Sequence, residues 1–223
     1  MEIGKAITKY ANFISQVGVE IEAMVKLIKQ ELSSAVATAS IKEHMKPVGD
    51  WESKTRYSEE EWVVIDYAFS LGMKPAGKGK SSVVRWLSFQ ISLAGEGTAA
   101  EGNEEPLLHI CWFDSPINFE EDFCYMGFPL DEDDNPELEN KVLFNWTPDA
   151  KKWSEQQWAF SLRLTSLNTL DDIENKIIRP TVALLSGKTP IVALPLTLDG
   201  LVCYEKIGDT LGQYKITSCA PEK

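Results

Sequence analysis

The chain is poor in the residues that most often hold metals or activate nucleophiles. Its 223 residues include two histidines, His44 and His109, and four cysteines. Cys111, Cys124, Cys203 and Cys219 are separated by 13, 79 and 16 residues, so there is no C-x-x-C knuckle and a Cys/His zinc finger or ribbon is excluded. The thiols are expected to be reduced and packed as small hydrophobes. Long apolar runs are missing as well. Nothing approaches the roughly 20 consecutive apolar residues that cross a bilayer. The opening stretch, MEIGKAITKYANFISQ, alternates polar and apolar residues instead of forming a signal-peptide core. A cytoplasmic protein with no membrane partner is expected.

Basic residues are scarce where acidic ones are dense. The net charge of −12 comes from 34 acids and 22 bases, yet no Lys or Arg lies between Arg85 and Lys141, an interval with 14 acids. One quarter of the chain therefore carries the whole excess. Such a field repels phosphate backbones and anionic lipid heads and steers basic protein surfaces towards itself, so direct nucleic-acid binding is disfavoured. Within this interval Asp131, Asp133 and Asn135 have the alternate spacing of a calcium loop. The pattern then fails, because Pro136 stands where that turn needs Gly and Val142 where it needs a bidentate Glu. No cofactor is implied.

With 43% hydrophobic and 25% charged residues, the composition is that of an ordinary globular chain. Its most regular pattern comes first: Ile3, Ile7, Tyr10, Ile14, Val17, Ile21, Met24 and Ile28 alternate spacings of four and three. This is a heptad seam, which predicts a long amphipathic helix. Ile7, Ile14, Ile21 and Ile28 are its candidate contact residues, docked within the chain, on another protein, or on a second copy as a homo-oligomer.

From Met45 to Tyr57 the chain reads as a connector. The period then becomes two: Val63 to Leu71, Leu87 to Leu93, Val142 to Trp146 and Trp158 to Leu164 alternate as half-buried strands, with a helix opened by Ser58 and Glu61 as the competitor for the first. Leu107 to Phe113 is apolar on both faces, as in a central strand. Thr169 and Asp172 open a second helix, near 169–186, which Pro180 should end or kink. Asp199-Gly200 predicts a hairpin between Ile191–Leu198 and Leu201–Ile207, and Tyr214–Thr217 an edge strand. The fold class is α+β: a long N-terminal helix, then a mainly antiparallel sheet of about seven or eight strands with one further helix. Residues 1–46 form a helical region and 57–223 an α+β domain, with the helix either separate or part of it.

Several motifs fall short of chemistry. Gly77-Lys78-Gly79-Lys80-Ser81 lacks the glycine spacing of a phosphate loop and precedes a strand. His109 and Cys111 share a strand face with Leu107 and Phe113 and read as packed residues. Pro148-Asp149 with Glu174 and Lys176 has the order of a metal-dependent nuclease, but the last two lie on different sides of a helix.

The leading expectation is a protein-protein interaction module, with no catalytic residue assigned. Glu120, Glu121, Asp122, Asp131, Asp133 and Asp134 would steer a basic partner, while Phe119, Phe123, Tyr125 and Phe128 anchor it. Inhibitors, immunity-type proteins and assembly factors or chaperones share this design. One alternative is a carboxylate- or metal-dependent hydrolase with a cleft lined by some of the seven tryptophans. Another is a subunit joined to a larger assembly by its N-terminal helix.

Overall fold

The heptad seam folds as one helix, α1 (Glu2–Val36). The computed structural model describes residues 2–38, 41, 43–76, 84–120, 125–131, 136–152 and 155–219. The Gly77–Ser81 motif therefore lies outside the described residues. Only the second half of α1 is covered: Val25, Ile28, Leu32 and Val36 are buried in the main core, with Ile21, Met24 and Leu27 packed beside them.

The seven-stranded antiparallel sheet is formed by β1 (Met45–Tyr57), β2 (Val64–Pro75), β3 (Arg85–Ser92), β4 (Leu107–Phe113), β5 (Glu137–Glu139), β6 (Leu143–Asn145) and β7 (Trp158–Arg163). Their order is β1-β2-β3-β4-β7-β6-β5, so β4, apolar on both faces, is the middle strand. The connector reading of 45–57 is corrected. It is an edge strand, with a register shift between Val48 and Glu52. It lacked alternation because most of its side chains face solvent, and an edge tolerates Pro47. No helix forms after Ser58; turns lead into β2.

Each face of the sheet has its own cover. Phe69, Leu71, Leu87, Phe89, Leu108, Ile110, Trp112, Phe160 and Leu162 face α1 and a C-terminal helical run, α2, made of Leu170–Asp172, a π-helical segment Ile173–Ile178 and Arg179–Leu185. Thr169 and Asp172 close the expected capping box. The chain passes through Pro180 without breaking, because the wider π turn just before it accommodates the missing N–H and the bulk of the ring.

On the opposite face Asp66, Ser70, Ser88, Gln90, Ser92, His109 and Ser161 are all at most 2% exposed. His109 was expected to be packed, but the alternation of the others with apolar residues looked like a solvent face. It is instead roofed by parts of the segment after β4, including Ile117, Met126, Phe128 and Leu130, and by a two-stranded ribbon, β8 (Cys203–Lys206) with β9 (Tyr214–Thr217).

The hairpin expected around Asp199-Gly200 does not form. Pro190–Ala193 is a short helix, α3, since Pro190 is pre-set for the first turn of a helix and Pro195 removes a ladder donor from the expected strand. Leu201 makes a single bridge to Leu162, and β8 starts two residues later. The expectation of four reduced cysteines is corrected too: Cys203 and Cys219 form a disulfide, while Cys111 is a buried free thiol. Cys124 lies outside the described residues.

Candidate functional site

The roof is fastened by hydrogen bonds from the sheet's polar face. Gln90 Nε2 donates to the Met126 carbonyl at 2.7 Å, and the Met126 N–H donates to Gln90 Oε1 at 2.9 Å. Ser92 Oγ donates to Asp66 Oδ1 at 2.6 Å, and the Ile117 N–H donates to Ser70 Oγ at 3.3 Å. From β1, Arg56 donates through Nε to Asp66 Oδ2 at 2.8 Å and through Nη1 to Glu96 Oε2 at 2.7 Å. Its guanidinium carbon lies 4.6 Å from the centre of the Tyr125 ring and 5.3 Å from that of Phe119, a cation–π arrangement. The Tyr125 hydroxyl donates to the same Glu96 oxygen at 2.8 Å. These bonds from Arg56 and Tyr125 hold the Glu96 carboxyl below its usual range, whereas burial pushes the Asp66 carboxyl up despite Ser92 and Arg56.

Beside this knot, where β4 ends, a groove of about 460 Å³ opens. Glu96, Asp114 and Asp131 supply carboxylates, Phe113, Tyr125 and Trp146 supply rings, and Pro129 and Gln157 complete the wall. Phe113 and Trp146 meet edge to face at 5.3 Å. Among the described residues no Lys or Arg lines the groove, although Arg85 Nη1 reaches within 3.9 Å of Asp114. The volume suits a side chain or small ligand, and exposed carboxylates beside a ring pair suit a cationic one.

The expected contact residues separate into three groups. Tyr125 and Asp131 line the groove; Phe119 packs against Tyr125 and Arg56, and Glu120 is exposed beyond it. Phe128 also lines the groove, but it is only 4% exposed and stacks on Tyr204 at 5.6 Å, so most of its ring serves the roof. Glu121, Asp122, Phe123, Asp133 and Asp134 lie outside the described residues. Sequence reasoning missed Glu96, Phe113, Asp114 and Trp146 as one site. Asp114 and Glu96 were legible as members of the acidic interval, but nothing in the spacing joined them to Trp146.

His109 is the other chemically suggestive group. Its Nε2 lies 2.8 Å from the Gly97 carbonyl, which only accepts, so Nε2 carries the proton and Nδ1 accepts from the Ser161 hydroxyl at 2.8 Å. A hydroxyl facing an imidazole nitrogen is the geometry of an activated nucleophile. Both residues, however, are completely buried, and neither lines the groove. Burial lowers the His109 pKa to about 4 and raises that of the Cys111 thiol, which leaves the neighbouring cysteine unreactive.

Glu174 accepts from Arg179 at 3.1 Å, whereas Lys176 Nζ is held by Asp172, Asp199 and the Ser166 carbonyl at 2.7–2.9 Å. The nuclease-like order is thus divided between an exposed Glu174–Arg179 pair and a buried lysine held by other partners. Of the tryptophans, Trp112 and Trp158 are core, Trp51 packs on Phe69, Trp62 is 88% exposed and Trp146 lines the groove. Among the described residues no group of three His, Cys, Asp or Glu is placed to hold a metal ion, and no helix is long and apolar enough to cross a membrane.

No family model, no curated protein and no solved structure matches this chain. Function is therefore argued from the site.

Proposed function

We propose that the protein is an interaction module that receives a basic side chain of a protein partner in the groove at the end of β4, in an inhibitory, immunity-type or assembly role. One observation carries this reading: the Glu96, Asp114 and Asp131 carboxylates line the same groove as the Phe113–Trp146 ring pair. Carboxylates at a rim speed encounter, while a desolvated aromatic floor supplies the anchor that charges alone rarely give. The net charge of −12 works against nucleic acid and anionic lipid as partners.

The test compares native chain with Asp114→Lys/Asp131→Lys and Trp146→Ala chains as baits in the host extract at two salt concentrations. The reading requires a basic protein captured at low salt, lost from both variants and weakened by salt. Equal capture by all three baits, or capture indifferent to salt, removes it. The cytoplasmic location is carried as part of this proposal, and the Cys203–Cys219 disulfide pulls against it, since such bonds persist mainly in oxidising compartments. Alkylation of the protein in intact host cells, followed by a thiol count, decides between the two.

A further inference from the structure

The exposed half of α1 repeats the pattern of its buried half. Ile21, Val25, Ile28 and Leu32 face the sheet. Eighteen residues earlier, five turns of an α-helix, stand Ile3, Ile7, Tyr10 and Ile14. They lie on the same side of the helix, but in open solvent: Ile3 is 77%, Ile7 64%, Tyr10 64% and Ile14 48% exposed, with Phe13 at 62% beside them. The face that docks on the sheet thus continues outwards uncovered. In proteins most helical stability comes from packing an amphipathic face, and this half of the face has no such packing among the described residues.

We propose that this segment pairs with the same segment of a second copy of the chain, antiparallel and about a two-fold axis. The direction follows from the shared face. In a parallel pair in register, the partner helix would have to continue into the space that each chain's own sheet occupies beside residues 21–32. An antiparallel pair sets the two sheets at opposite ends and leaves that space free. The register follows from the spacing: Ile3 meets Ile14 of the partner subunit, and Ile7 meets Tyr10 of the partner subunit.

The flanks are self-complementary, as an isologous contact requires. On one side Phe13 meets the partner's Ala6, large against small. On the other, Gly4 meets the partner's Ala11, two small residues that let the backbones approach. Lys5 and Lys9 fall on the opposite side of the helix, so two chains of net charge −12 bring no like charges together along the seam. Five large apolar side chains offer on the order of 600 Å² per chain, or about 1,200 Å² for the pair, the lower end of specific interfaces. A dissociation constant on the order of micromolar is expected for so small a contact.

Sedimentation of the full chain from about 1 to 200 µM tests this. The expected result is a reversible monomer–dimer equilibrium, weakened at least a hundredfold by Ile7→Asp and by Tyr10→Asp. Because these side chains are outside the core, both variants should melt at the native temperature, and Asp114→Lys/Asp131→Lys should dimerise as before. For direction, Ile3→Cys and Ile14→Cys chains are oxidised separately and mixed. Cross-linked dimers appearing only in the mixture support the antiparallel pair, whereas cross-linking of each chain with itself overturns it. A chain that stays monomeric at 200 µM overturns the proposal. So does a monomer that floats with phosphatidylcholine/phosphatidylglycerol vesicles through the same residues, and so does a dimer abolished by the groove variants.

Discussion

The side-chain amide of Gln90 and the backbone of Met126 are joined by two reciprocal hydrogen bonds, the exchange that a neighbouring strand would make. Gln90 thus stands in for a strand that is absent at this point, and it fixes the segment that carries Tyr125 and the groove wall. Gln90→Leu removes both partners from a buried N–H and C=O, and a loss of about 2–4 kcal/mol is expected. Gln90→Glu should cost more, because it also sets an acceptor against the Met126 carbonyl and Asp66. Urea unfolding of the three chains gives the order.

Arg56 ties β1 to the roof by charge and by stacking. A lysine keeps the charge but cannot bridge Asp66 and Glu96 while lying flat against Tyr125 and Phe119. Arg56→Lys is expected to destabilise by roughly 2 kcal/mol, since Asp66 is completely buried and loses its guanidinium hydrogen bond. Hydrogen exchange in residues 125–131 should rise before exchange in β3 and β4 does. Equal acceleration everywhere would mean that the bridge supports the whole sheet rather than the roof.

His109 gives stability a pH dependence of known sign. Its pKa is lowered by burial from 6.5 to about 4 in the folded chain, so below 6.5 the unfolded chain binds the proton first. Its contribution is complete above pH 6.5 and is lost as pH falls towards 4, by about 3 kcal/mol at 1.36 kcal/mol per unit. His109→Gln should flatten the curve over that window, leaving the carboxylate-driven loss at lower pH. Unfolding free energies from pH 7.5 to 4 check this.

The disulfide closes a sequence separation of 16 residues across the β8–β9 ribbon. Constraining such a loop in the unfolded chain is worth roughly 3 kcal/mol. A reductant should lower the melting temperature of the native chain and leave a Cys203→Ser/Cys219→Ser chain unchanged. Equal melting of native and double-serine chains without reductant would mean that the ribbon is held by its packing alone.

Much of the architecture was legible in the residues. The alternation in β2, β3 and β7, the doubly apolar β4, the seam of α1 and the Thr169–Asp172 cap each report local geometry, and local geometry is what a period of 2 or 3.6 encodes. The edge strand β1 was illegible for the same reason, since its ladder bonds hold it and its outward side chains carry no pattern. Pro190 and Pro195 were a signal against the expected C-terminal hairpin, outweighed there by the Asp-Gly turn.

The groove was not legible, because it depends on which surface covers the sheet. Ser88, Gln90 and Ser92 have the alternation of a solvent face, and only the segment laid over them turns them into buried fasteners. In doing so it buries Phe128 and brings Glu96, Asp114 and Trp146 to one place. The sequence by itself determined the elements, the acidic interval and the apolar stripe along α1, since each is a property of neighbours in the chain. Tertiary structure decided which half of that stripe is covered, which cysteines pair and which carboxylates share a groove, because those outcomes depend on contacts between segments far apart in the chain.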